Sequence, residues 1–243
     1  MDNKEQYSLN INGIGNYSGG EFDRIDISGV GKVNGDLKCN TFDSSGIGKI
    51  YGNIQSDKFN TSGITKVEGN ITSKSIDISG MLKCTKDIKV DKIEVSGTVT
   101  IEGKLNSNKI VGSGLLNVKS DIQCEEVDIN GIITCVGMLN CEKLELNLVG
   151  RSTIDEIGGS KIDIRGGMYS SRFNILAPKK FRENKLVANI IEGDDITLEN
   201  CEVKIVRGKN INIGQNCKID KIEYSQSIEV DKYSKILDIV EVK

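Results

Sequence analysis

The sequence contains no histidine and no tryptophan, and its only proline is Pro178. Without histidine the chain cannot run a Ser-His or Cys-His nucleophile, and it lacks the commonest side-chain ligand of metal sites. Most hydrolases and most zinc enzymes are excluded on that ground. A dominant charge is missing as well, since 32 Lys and Arg stand against 35 Asp and Glu in 243 residues. No strong field therefore favours nucleic acid or an anionic membrane. Nowhere do eighteen apolar residues run together, so no transmembrane helix is expected. The opening MDNKEQYSLN lacks the apolar stretch of a signal peptide, and a soluble, cytoplasmic protein is the expectation.

A sustained 3.6-residue apolar period is absent too, which argues against helix. What is present instead is alternating segments of Val, Ile, Thr and Ser, broken by 27 glycines. That composition and alternation predict an all-β protein.

The segments repeat. FDSSGIGKIYGNIQSDK (42–58) is followed at once by FNTSGITKVEGNITSKS (59–75), with equivalent residues seventeen apart. Gly29, Gly46, Gly63, Gly80, Gly97, Gly114 and Gly131 keep the same spacing, each after Ser except Gly131, which follows Asn130. Ser-Gly and Asn-Gly pairs are turn chemistry, so these glycines are expected to hold a positive φ. Apolar columns share the register: Ile25, Phe42, Phe59, Ile76; Val30, Ile47, Ile64, Met81; Val33, Ile50, Val67, Cys84; Leu37, Ile54, Ile71, Ile88. Between them run polar columns, among them Lys32, Lys49, Lys66, Lys83 and Asp26, Asp43, Asn60, Asp77, Glu94.

Within a coil, neighbours such as Leu37 and Cys39 alternate with period two, the strand signature. Seventeen residues are too few for a propeller blade and lack the helical half of a leucine-rich repeat. Nor do they divide into the six-residue period of hexapeptide helices. They fit one turn of a parallel β-helix with three short faces. One such coil buries too little apolar surface to offset its own backbone entropy, so coils must share stability by stacking.

The register defines three regions. Residues 8–167 carry the strict coils, 168–189 form an insertion or loop, and 190–243 carry retuned C-terminal coils, eleven or twelve coils in all. The insertion holds Pro178 and a mixture of aromatic and basic residues. Phe173, Lys179, Lys180, Phe181 and Arg182 are its candidate docking residues for a partner or a membrane surface.

Seven cysteines show no C-x-x-C spacing and interchange with Ser, Val and Ile in the repeat. They are expected to be free thiols acting as small buried hydrophobes. Cys124/Cys141 and Cys201/Cys217 stack closely enough for a disulfide to be geometrically feasible. The acidic column, with lysines two positions ahead of it in several coils, reads as a solvated and charge-compensated face. No catalytic, cofactor-binding or metal-ligating residue is assigned. The end coils remain: a β-helix terminates in a strand edge and an exposed core, which must be covered or paired. Leu9, Ile11 and Ile14 at one end, and Ile236 and Ile239 at the other, are the candidate assembly faces.

The Ser-Gly-centred coil, as in IDISGVGKVNGDLKC (25–39) and IEVSGTVTIEGKLNS (93–107), resembles the bactofilins, polymer-forming cytoskeletal proteins of bacteria. The stretch IIEGDDITLENCEVKIVRGKNINIGQNCKIDKIEYS (190–225) is similar to the end of longer bactofilin-like proteins of spore-forming Gram-positive bacteria. The resemblance implies a right-handed, three-faced β-helix without enzymatic activity or cofactor. It also implies end-to-end assembly into nucleotide-independent filaments that scaffold envelope or morphogenetic proteins. The expected partners are thus further copies of the chain and an envelope or morphogenetic protein, with peripheral contact at the inner face of the membrane as an additional candidate. The alternative reading is a monomeric β-helical binding or adaptor module working through the 168–185 insertion.

Overall fold

Residues 7–166 and 183–242 are described by the computed structural model. They contain strands, turns and bends and no helix. The fold is a parallel β-solenoid with coils of about seventeen residues, and it makes about thirteen turns, slightly more than the repeat suggests. The chain divides into two compact units, residues 1–111 with 115–117, and residues 112–114 with 118–243.

In the first unit the strands are β1 (Ser8–Ile11), β2 (Ile14–Ile27), β3 (Val30–Ser44), β4 (Ile47–Tyr51), β5 (Ile54–Thr61), β6 (Ile64–Val67), β7 (Ile71–Ile78), β8 (Met81–Cys84), β9 (Ile88–Val95), β10 (Thr98–Ile101) and β11 (Leu105–Gly112). Each lies parallel on its equivalent one coil away: Ile47 of β4 pairs Ile64 of β6, and Phe42 of β3 pairs Phe59 of β5. The first step is sixteen residues, with Ile11 on Ile27 and Ile14 on Val30, and the later steps are seventeen. Pairing in a coil falls into three short runs, such as 47–50, 54–56 and 58–61, separated by bends.

Alternation decides which side chains face inward. Ile25, Phe42, Phe59, Ile76 and Ile93 form one buried column, and Leu37, Ile54, Ile71, Ile88 and Leu105 another. The rings of Phe42 and Phe59 stack with centroids 4.6 Å apart and planes 7° from parallel. Opposite this bulk the inward column begins with Gly31 and Gly48, whose empty side-chain space is filled by Ile11 and Ile27. From Leu82 through Val99 that column becomes aliphatic. Large and small residues are thus exchanged between columns while the coil cross-section stays filled.

One apolar column needs placing here, and one sequence expectation needs correction. The column Val30, Ile47, Ile64, Met81 does not join the core; its side chains point outward, because Val30 and the buried Val33 lie three apart and a strand sends them to opposite sides. The repeated glycines do not hold a positive φ either. Among the described glycines that conformation is confined to Gly35 and Gly112. At Gly29, Gly46, Gly63, Gly80, Gly97 and Gly131 the constraint is the coil beneath, whose backbone carbonyl occupies the place of a Cβ.

β12 (Leu115–Val118) has residues in both units. The second unit continues with β13 (Ile122–Gln123), β14 (Glu126–Leu148), β15 (Arg151–Gly166), β16 (Lys185–Leu198), β17 (Cys201–Ile213), β18 (Lys218–Val230) and β19 (Lys235–Glu241). Register shifts occur between Cys135 and Met138 and between Gly208 and Asn210, where the strict repeat slips. Across the insertion the ladder is kept, since Arg151 pairs Lys185 and Ile162 pairs Ile196. The alignments Ile196–Ile211–Ile228 and Val203–Ile219–Ile236, legible in the sequence, are the observed registers. Asn200 and Asn216 hold the positive φ values of 54° and 58° at successive corners, a conformation asparagine tolerates.

Candidate interaction surfaces

β19 is paired on one side, to β18. It covers Ile219 and Ile222, which are fully buried, with Ile236 and Ile239 in the same columns. Ile239 is 47% exposed and Ile236 half-buried, and nearby Val230, Leu237 and Val242 are also open. Two core columns therefore run out to an apolar surface bordered by a strand edge whose outward N–H and C=O groups have no partner strand among the described residues.

At the other end the three candidate residues separate. Ile14 is 89% exposed, Leu9 is half-buried, and Ile11 is fully buried in its column beside Ile27. Ile11 is thus core rather than surface. The candidate docking residues Phe173, Lys179, Lys180, Phe181 and Arg182 lie outside the described residues.

The outer faces are laced by ladders that repeat with the coil. The Asn53 backbone N–H and side-chain amide both donate to Asp36 Oδ1, at 2.7 and 3.1 Å, and Asn53 Oδ1 accepts the same pair from Asn70 at 2.9 and 3.1 Å. The backbone N–H of Asp87 continues the ladder onto Asn70 Oδ1. In the acidic column Arg24 bridges Asp43 at 2.7 Å, Asn60 donates to Asp43 at 2.7 Å, and Lys92 meets Glu94 at 3.3 Å. Opposite charges one coil apart or two residues apart compensate each other there. In the second unit Lys221 and Arg207 together hold the Glu223 carboxyl below the usual carboxylate range.

All seven cysteines are free and buried. Burial pushes the thiols of Cys39 and Cys141 up to about 12 and those of Cys84 and Cys135 up to about 11. A thiol held neutral so far above physiological pH is a poor nucleophile and a poor metal ligand. Cys201 and Cys217 share a hydrogen bond between their side chains, and burial raises Cys201 well above its usual range. No group of three or more His, Cys, Asp or Glu able to hold a metal is found among the described residues. Open grooves of about 390 Å³ in the first unit and about 540 Å³ in the second are lined by mixed charges. Those charges pair across coils, as in Lys38–Glu21, Lys74–Asp57 and Arg207–Glu192.

One further surface escaped the sequence reading. The outward column Ile14, Val30, Ile47, Ile64, Met81 forms an unbroken aliphatic stripe over five coils of the first unit. Parity sets Val30 apart from the Val33 column, with which Leu82, Val99 and Leu116 keep step, but does not say which of the two sides is inward.

No helix among the described residues is long and apolar enough to cross a membrane. No protein-family model matches the chain, and no solved structure matches it. Curated relatives come from Bacillus subtilis (strain 168). The uncharacterized protein YhbF is 41% identical over 85 residues, 35% of this chain and 33% of that protein. The uncharacterized protein YhbE is 46% identical over 46 residues, 19% of each. The chain therefore matches about a third of the length of the first relative and about a fifth of the second.

Proposed function

We propose that this protein is a non-enzymatic structural scaffold that assembles end to end, in the manner of the bactofilins its repeat resembles. The observation that carries this reading is the last coil, where Ile236 and Ile239 extend two core columns to an open strand edge. An edge of this kind pairs readily with another strand, and a second solenoid end offers both the ladder hydrogen bonds and the apolar cover. Neither step requires nucleotide or metal. The buried, unreactive cysteines and the pairing of surface charges are in keeping with a scaffold. An envelope or morphogenetic protein is the partner such a filament would hold, at the inner face of the membrane.

The test is sedimentation with negative-stain microscopy across concentration, without nucleotide or metal. Filaments are expected, and Ile239→Lys should shorten or abolish them while leaving the β-sheet circular dichroism intact. A wild-type chain that remains monomeric at every concentration would sink the scaffold reading and leave an adaptor working through the 168–185 insertion.

A further inference from the structure

The stripe Ile14, Val30, Ile47, Ile64, Met81 is between 37% and 89% exposed at every position, and nothing in the core accounts for keeping it apolar. Beside it, one step further along each strand, runs the outward column Lys32, Lys49, Lys66, Lys83. On its other side, across the corner, stand the exposed serines Ser28, Ser45, Ser62 and Ser79, and beyond them Asp26, Asp43 and Asp77. The face is thus ordered as acid, serine, aliphatic and lysine.

Spacing limits what can cover it. Successive stripe residues are one inter-strand distance apart, about 4.8 Å. A helix laid along the stripe offers side chains about 6 Å apart at i and i+4, and an extended strand offers same-side residues about 6.8 Å apart. Either falls out of step within a few coils. Another β-solenoid has the same spacing and meshes coil by coil, and a second copy of this chain carries the same stripe.

We propose that the stripe is a side-by-side contact between two parallel copies of this chain. Charge selects the direction. Two copies can face each other about a two-fold axis either along the solenoid or across it. The crosswise, antiparallel arrangement sets lysine column over lysine column, which is destabilising, above all at Lys32 and Lys49, since Lys66 and Lys83 are partly compensated by Glu68 and Glu102. The parallel arrangement sets each lysine column toward the serine and aspartate side of the other copy.

The aliphatic area is a few hundred Å², below the roughly 800 Å² per partner of a stable interface. A single pair is therefore weak, and copies already joined end to end would hold each other through many such contacts at once. That strengthening rests on the end-to-end reading; the contact itself does not.

Ile47→Cys, Ile64→Cys and the off-stripe control Gln55→Cys, made singly, test the contact under mild copper-phenanthroline oxidation at high protein concentration. The native thiols are buried and stay silent while the fold holds. Disulfide-linked dimers are expected for Ile47→Cys and Ile64→Cys, several-fold above the exposed Gln55→Cys. Cross-linking at Ile47→Cys alone, the middle of the stripe, would mean antiparallel pairing and overturn the proposed geometry. Equal yields at all three sites, or none on the stripe, would overturn the contact itself. The outward double variant Ile47→Lys/Ile64→Lys separates the two readings in the microscope. Filaments that form but never pair, without stripe cross-links in the cysteine variants, sink this inference alone; stripe cross-links without filaments sink only end-to-end assembly.

Discussion

The carbonyl oxygen of Gly46 lies where a Cβ on Gly63 would have to be, far inside the 3.0 Å that real Cβ contacts respect, while it accepts the N–H of Ile64 at 2.9 Å. The same relation joins Gly29 to Gly46, Gly63 to Gly80 and Gly80 to Gly97. Each coil thus rests one corner on bare backbone, and the corner can be that tight only if the upper residue of the pair carries no side chain. The closely packed atom is backbone, which cannot swing aside as a flexible side chain would.

Gly63→Ala should therefore destabilise the protein by about 2–3 kcal/mol, as overpacking does at a site that cannot relax. Gly35, with φ at 106° and no atom nearer than 3.6 Å to its Cβ position, should lose about 1–2 kcal/mol on change to Ala through backbone strain alone. Gly13 has nothing within 4 Å, so Gly13→Ala should be close to neutral. Urea unfolding of the three variants checks the order, and equal losses would rule out stacking as the cause.

Ser44 is 3% exposed and its hydroxyl has no hydrogen-bond partner. It occupies an inward column with Ile27, Thr61 and Ile78, where Thr61 instead bonds Thr65 at 2.8 Å. Removing an unsatisfied buried hydroxyl relieves its desolvation penalty, so Ser44→Ala should raise stability by about 1 kcal/mol. A lowered melting temperature would show that the hydroxyl has a use in the folded state.

The asparagine ladder gives a third expectation. Asn53 both donates to the coil below and accepts from the coil above, so Asn53→Ala leaves Asp36 only the backbone N–H of residue 53 and takes from Asn70 the acceptor of both its bonds. These groups are exposed and water replaces part of the loss, so the cost should be about 1 kcal/mol. An unchanged urea midpoint would mean that the backbone pairing alone sets the coil spacing.

The cysteines set an alkaline limit. Thiols whose folded values rise from 9.0 to about 11 or 12 favour the native state while they remain protonated. Their contribution is complete below about pH 9 and is lost as the pH climbs toward the folded values. Stability should fall between pH 9 and 12, and Cys39→Ser, a residue the repeat already uses at Ser56, should lessen the fall. Native protein at pH 8 should leave Ellman's reagent unreacted, and all seven thiols should titrate in denaturant.

Much of this architecture was legible because its period is independent of environment. Phe42 above Phe59, Leu37 above Ile54 and Ile196 above Ile211 follow from counting alone, and the sixteen-residue first step was readable at Leu9 and Ile25. The surfaces at the two ends were only partly legible. Ile236 and Ile239 do lie at an open edge, whereas Ile11, three residues from the exposed Ile14, is sealed in the core. Apolar character is common to both, so composition could not separate them.

By itself the sequence determined the strand class, the coil length and which residues stack, because a solenoid repeats its chemistry wherever its backbone repeats. Tertiary structure decided which of two apolar columns, Val33 or Val30, faces the core, and why Gly63 has to be glycine. Both depend on what stands across space. An inward side is defined only once the coil closes, and the carbonyl that excludes a Cβ belongs to a residue seventeen positions earlier.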